Sequence, residues 1–187
     1  MSNALTLDEQ LADFQSRRFL AVPLAGTLVW SLIGIISLFA TPFVAVWAIF
    51  IGTGSIVYLG LFLSKFTGED FLDKSKPKNR FDALFMLTVV QAMAVYAIAI
   101  PFFLVDYTSL PMTVGILTGL MWIPFTWIGG HWIGLFHGLV RAALVLGAWY
   151  LFPAHRFTLI PLLIVLVYAV TIVTLEKRWR ANNAQNL

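Results

Sequence analysis

The chain has 187 residues, 60% hydrophobic and 11% charged, with a formal net charge of +3 and no cysteine. Soluble domains carry roughly 25% charged residues, so the composition excludes an ordinary water-facing fold. The missing cysteines exclude disulfides and thiolate metal sites. The basic surplus is no nucleic-acid signature, because the Lys and Arg residues lie where membrane topology places them.

Residues 1–18 precede the first long apolar run. Thr6-Leu-Asp-Glu9 is a capping-box pattern, and Leu7, Leu11 and Phe14 follow at helical spacing. This predicts a short amphipathic helix on the inner membrane surface, or else a helical extension of the first span. Asp8, Glu9 and Asp13 stand before Arg17 and Arg18, and the apolar run outlasts any signal core. Both facts argue against a cleavable signal peptide.

A spanning helix needs roughly 20 apolar residues. Phe19 to Ser64 is free of charge and holds two spans, about Phe19–Ala40 and Phe43–Ser64, parted by Thr41-Pro42. A polar loop, 65–82, carries Lys65, Lys74, Lys76, Lys78 and Arg80 with Glu69, Asp70 and Asp73. Span three is about Ala83–Val105, with a bend expected at Pro101. Span four starts at Pro111 and ends at Ile128, with Pro124 inside it. Gly129-Gly130 turns into span five, His131 to Pro153, which must accept His137 and Arg141. Span six begins near Phe157 and ends at Trp179. The expected architecture is all-α: a six-span bundle over residues 19–179, an N-terminal segment 1–18 and a tail 180–187.

Basic residues accumulate on the cytoplasmic side of short loops. With six spans, Arg17, Arg18, the lysines of the 65–82 loop, Lys177, Arg178 and Arg180 share one side, and the other receives only Arg156. Both termini are therefore expected inside. A faint echo, Pro23…Gly26…Trp30 against Pro111…Gly119…Trp122, hints at an inverted repeat of three spans.

The block GLMWIPFTWIGGHWIGLFHGLVR (Gly119 to Arg141), then WYLFPAHRFTLIP (Trp149 to Pro161), with LSKFTGEDF before them, resembles a family of small bacterial multi-span membrane proteins of unknown function. The resemblance covers most of the chain. It implies an integral protein of the bacterial cytoplasmic membrane and supplies no activity.

Arg141 lies near the middle of span five. An arginine there costs roughly 2.5–3.5 kcal/mol on insertion scales, so it must face protein or a water-filled cavity. All nine acidic residues lie in loops or at helix ends; Asp82, Asp106 and Glu176 come nearest. Counting other spans to the same depth at about 1.5 Å per residue gives a polar layer. Span three offers Gln91, span two Gly52-Thr-Gly-Ser55, span one Trp30 and Ser31, and span six Tyr168. In span four, Pro124 frees the carbonyl of Leu120. Gly130, Gly134, Gly138 and Ala142 form a packing stripe beside His137 and Arg141, which lie four apart. Trp122 flanks Pro124.

Three readings compete. In the first, a small transporter or permeation protein binds an anion, a zwitterion or a lipid headgroup at Arg141. His137, Gln91, Ser55, Tyr168 and Trp122 complete that site, while Gly130, Gly134, Gly138 and Pro124 are structural. In the second, Arg141 is a buried fold determinant bonded to carbonyls such as that of Leu120. In the third, Ser31 or Ser55 pairs with His137 in an intramembrane enzyme, although the GxSxG elbow and an orienting aspartate are missing. No cofactor is expected: Gly52-Thr-Gly-Ser55 lacks the lysine of a phosphate loop. No metal is expected either, since His131 and His137 point to different helix faces. The expected partners are the bilayer and a small anionic or zwitterionic ligand. A second copy of the chain is allowed, and nucleic acid is not expected.

Overall fold

The computed structural model describes residues 5–73 and 78–184. Lys74 and Lys76, counted above in the polar loop, lie outside the described residues. Among those described there are helices and turns but no strands. In chain order they are α1 (Leu7–Ser16), α2 (Ala21–Phe39), α3 (Pro42–Thr67), α4 (Arg80–Ala94), α5 (Tyr96–Val105), α6 (Leu110–Leu120), α7 (Trp122–Ile128), α8 (Ile133–Leu151) and α9 (Arg156–Ala184). α4 with α5 and α6 with α7 are single spans interrupted once. Six segments are long and apolar enough to cross a membrane, and the chain is a multi-pass membrane protein on that ground. Many large apolar side chains face outward, Phe39, Ile51, Leu104 and Leu151 among them, as a lipid-facing surface requires.

Local chemistry starts and stops these helices. The capping box at α1 is formed: Glu9 N donates to Thr6 Oγ1 at 3.3 Å, and Thr6 N donates to Glu9 Oε2 at 2.7 Å. α3 begins on Pro42 and ends on Gly68, whose φ of 79° is a left-handed cap. α2 has no cap of its own. Glu69, arriving after α3, accepts from the N–H groups of Leu20 and Ala21 at 2.7 and 2.9 Å. It thereby answers the positive end of α2. Burial nonetheless raises the Glu69 pKa above the usual carboxylate value, against the lowering effect of those same bonds.

The third span breaks at Val95 rather than at Pro101, and α5 runs through the proline. Proline's ring crowds the carbonyl four residues earlier, that of Ala97, and the chain releases this strain just before that residue. Pro124 crowds the carbonyl of Leu120, and its span breaks at the next residue, Met121.

α1 is not an extension of the first span. The chain turns at Phe19 (φ 58°), and Phe14 packs its ring against Phe19, Phe81 and Phe85 at 5.0, 6.3 and 6.3 Å. The Asn79 amide donates to the Gln10 carbonyl at 2.6 Å and to Asp13 at 2.9 Å, so α1 straps the start of α4. Arg17 pairs with Asp82 and Asp13, and Arg18 with Glu176 at 2.8 Å. Arg178 donates to the carbonyls of Gly129, Gln15 and Arg17 at 2.7, 3.0 and 2.6 Å. α1, the start of α4, the α7–α8 turn and the end of α9 therefore share one face, as an even number of spans demands. At that turn Gly130 takes φ 62°, and a Cβ there would meet Gln15 Nε2 at 2.8 Å; only glycine fits both demands. α9 runs through the middle, packed on α2, α8 and α6.

Candidate functional site

Arg141 sits near the midpoint of α8 and is 1% exposed. Small residues open its niche. Gly119 on α6 lies so close that a Cβ would come within 2.9 Å of Arg141 Cδ. Gly134 and Gly138 let α8 approach α7: added Cβ atoms would meet Trp122 O at 2.4 Å and Ile123 Cγ1 at 2.7 Å. On the far side, a Cβ on Gly26 of α2 would strike the Tyr168 ring at 2.3 Å. That glycine holds the Tyr168 hydroxyl in place against Arg141.

Among the described residues the guanidinium meets only neutral acceptors. Nη2 donates to Thr118 Oγ1 at 2.8 Å, and Nη1 donates to Tyr168 Oη at 3.3 Å. Nη1 also approaches His137 Nε2 at 3.4 Å. The tautomer follows from the next bond outward. Thr171 donates its hydroxyl proton to the Val167 carbonyl at 2.9 Å, so its oxygen accepts from His137 Nδ1 at 2.9 Å. The lone pair of Nε2 is then left for Arg141. Thr118 likewise donates to the Val114 carbonyl at 2.6 Å and offers Arg141 an oxygen. Aromatic faces complete the enclosure. The guanidinium carbon lies 5.6 Å from the Trp30 ring centre and 5.5 Å from that of Tyr168. Trp122 stacks on His137 at 4.5 Å and 24°.

A guanidinium has five N–H groups. The three bonds engage both hydrogens of Nη1 and one of Nη2. The Nε–H is buried without an acceptor among the described residues, as is the second N–H of Nη2. The Tyr168 O–H accepts from Arg141 but has no acceptor of its own among them. The site thus holds donors in excess and, among the described residues, no carboxylate. The carboxylates nearest in sequence are engaged elsewhere: Asp82 with Arg17, Glu176 with Arg18 and Arg180, and Asp106 with Thr108. The side-chain and backbone hydrogen bonds from Thr108 hold the Asp106 pKa below its ordinary value.

Arg141, His137, Tyr168 and Trp122 are brought together, with Gly134 and Gly138 at the packing contacts. Gln91 and Ser55 are not: Gln91 is exposed on the outer surface of α4, and Ser55 donates to its own helix at Gly52 O, 2.7 Å. Equal depth does not fix the direction a residue faces around its helix. Arg141 bonds to Thr118 and not to the Leu120 carbonyl. Both ring nitrogens of His137 are engaged, and neither Ser31 nor Ser55 is bonded to it, so the serine–histidine pair is not assembled. Thr118, Thr171 and Gly26 were missed. Thr171 had a signal, since Tyr168 and Thr171 are three apart on α9 and face His137 and Arg141, four apart on α8.

A family model described as a family of unknown function (DUF7010) matches residues 9–178. No curated protein and no solved structure matches the chain.

Proposed function

The chain belongs to that family of unknown function, and from the geometry of its own residues we propose that it is a small transporter or permeation protein binding an anionic group at Arg141. One observation carries this reading: a fully buried guanidinium with neutral partners and unused N–H groups. A buried charge without a counter-charge costs several kcal/mol, and charge-assisted bonds from arginine to a carboxylate or phosphate are about twice as strong as neutral ones. An incoming anion supplies what the site lacks. Tyr168 adds a second kind of donor, and the His137 lone pair, held by Thr171, orients the guanidinium. A purely structural arginine is better served by backbone carbonyls, and Arg141 does not bond to that of Leu120.

The face that gathers α1 and the end of α9 also gathers Arg17, Arg18, Lys65, Lys78, Arg80, Lys177, Arg178 and Arg180. By the positive-inside rule it is the cytoplasmic face, and the cytoplasmic membrane of a bacterium is the proposed location. The test is a panel of anions against purified protein in neutral lipid. At least one should raise the unfolding temperature of the wild type and not that of Arg141→Gln. Equal shifts in both proteins, or none in the wild type across carboxylates and phosphates, would count against the reading.

A further inference from the structure

Resting on that reading, we propose that the ligand is a single-chain amphiphile with one carboxylate, a fatty-acid-type anion, which enters sideways from the bilayer between α3 and α4. The routes to Arg141 carry this inference. From the face of α1 and the end of α9, the way narrows to a gap of about 10 Å³ ringed by Phe19, Phe71, Phe85, Trp122 and Phe125. A single water needs roughly 10–15 Å³, so a hydrated ion does not pass. From the opposite face, a groove of about 930 Å³ between α2, α8 and α9 reaches Trp30. Trp30 is fully buried at that end, and none of Arg141, His137, Thr118 and Tyr168 lines the groove.

The third route differs. A cavity of about 70 Å³ is lined by Thr118 and Tyr168, the two hydroxyls that touch Arg141. Its outer walls are the apolar side chains of Ile56 and Val57 on α3 and Met86, Val89 and Met93 on α4. Among the described residues, α3 and the α4–α5 span share one hydrogen bond, between Thr53 and Tyr96 at 2.5 Å. The opening therefore faces lipid, and flexible methionines suit a variable chain. Such walls hold an alkyl chain and offer a free ion nothing. The closed end is too small for more than a head group and its first carbons, so the tail lies in the cleft.

The head group follows from the donors. The unused N–H groups sit on Nε and Nη2, adjacent nitrogens on one edge of the guanidinium, and Thr118 at Nη2 lines the cavity. A carboxylate matches that edge with two oxygens and accepts from Tyr168 as well. One positive charge balances one carboxylate, whereas a phosphate monoester brings nearly two negative charges.

The experiment is saturable binding of labelled oleate to the full chain in phosphatidylcholine nanodiscs, corrected for empty discs. Oleate should bind at one per chain, with oleyl alcohol at least tenfold weaker and acetate not competing. Arg141→Gln and the cleft-filling Ala92→Phe should each weaken oleate at least tenfold. Tyr168→Phe, which keeps the ring packing, should weaken it roughly tenfold, the size of a bond to a charged group. Gly147→Leu should leave it unchanged, since it fills the opposite groove where an added Cβ meets nothing within 4 Å. If acetate or inorganic phosphate competes as well as decanoate, the amphiphile is wrong while the anion site stands. If Gly147→Leu abolishes binding and Ala92→Phe does not, the side of approach is wrong. If oleate binds wild type and both Arg141→Gln and Tyr168→Phe alike, or binds no folded form, the carboxylate ligand is overturned.

Discussion

Arg141 is fully buried and Arg178 half-buried, and neither forms an ion pair with a carboxylate among the described residues. Their surroundings differ in kind. Arg178 donates to three backbone carbonyls: those of Gln15 and Arg17 at the end of α1, and that of Gly129 at the end of α7. Helix C-termini carry unpaired carbonyls and partial negative charge, so the cation and three orphan acceptors satisfy one another. Arg141 has hydroxyls and an imidazole, groups that also serve as donors. Arg178 ties three elements together through acceptors that have no proton to donate, although its Nε–H, too, is buried without an acceptor among the described residues. At Arg141 the acceptors are groups that carry protons of their own, and Arg141, His137 and Tyr168 are all closed to solvent. The number of N–H groups left over does not separate the two arginines; the depth of burial and the kind of acceptor each one meets do.

The comparison breaks first at Arg178. Arg178→Ala leaves three carbonyls without their cation and should destabilise the fold by about 3 kcal/mol, read from a chemical or thermal unfolding midpoint, whether or not a ligand is added. Gly26→Ala should come next. Its methyl group overlaps the Tyr168 ring, and overpacking of this kind costs about 1–3 kcal/mol. It should also weaken anion binding, because it pushes the hydroxyl away from Arg141. Arg141→Met sharpens the contrast. A buried charge without a counter-charge is itself costly, and removing this one leaves no carboxylate behind, so the midpoint should move by less than about 1 kcal/mol, or rise, while binding is lost. A loss as large as that of Arg178→Ala would mean that the two arginines do the same job.

The smallest effect concerns pH. Glu69 has a folded pKa raised by burial above the unfolded value. Between those two values the folded state holds more protons than the unfolded one, so stability falls as pH rises through that window. Glu69→Gln keeps an oxygen for Leu20 and Ala21 and should flatten the slope of stability above the ordinary carboxylate range. An unchanged slope in an unfolding series at several pH values would remove Glu69 as its source.

The spans were legible because length and charge are one-dimensional properties: about 20 apolar residues, a polar break, a basic flank. Depth was legible too, and it placed Tyr168 and Trp30 beside Arg141. Rotation about each helix axis was not. Gln91 has the right depth and faces outward, because the third span is broken at Val95 and carries too few polar residues to show which side is buried. Ser55 was misjudged for another reason: a serine in a helix can bond to its own backbone. Thr118 satisfies that same backbone demand through its proton and still offers Arg141 its oxygen, a double use that spacing does not reveal. Gly26 and Gly119 were visible as glycines, but their role lies in the side chain each one faces on another helix.

The central claim is that the charge of Arg141 awaits a negative partner from outside the protein. Thr118 stands 2.8 Å from Nη2 and can be given that partner internally. Thr118→Asp and Thr118→Asn differ by one charge and almost nothing in shape. Their unfolding midpoints should be measured side by side in phosphatidylcholine nanodiscs without added anion. Thr118→Asp should be the more stable of the two and should no longer bind oleate. If Thr118→Asp is the less stable, the guanidinium is already satisfied where it stands, and the account of this site is wrong.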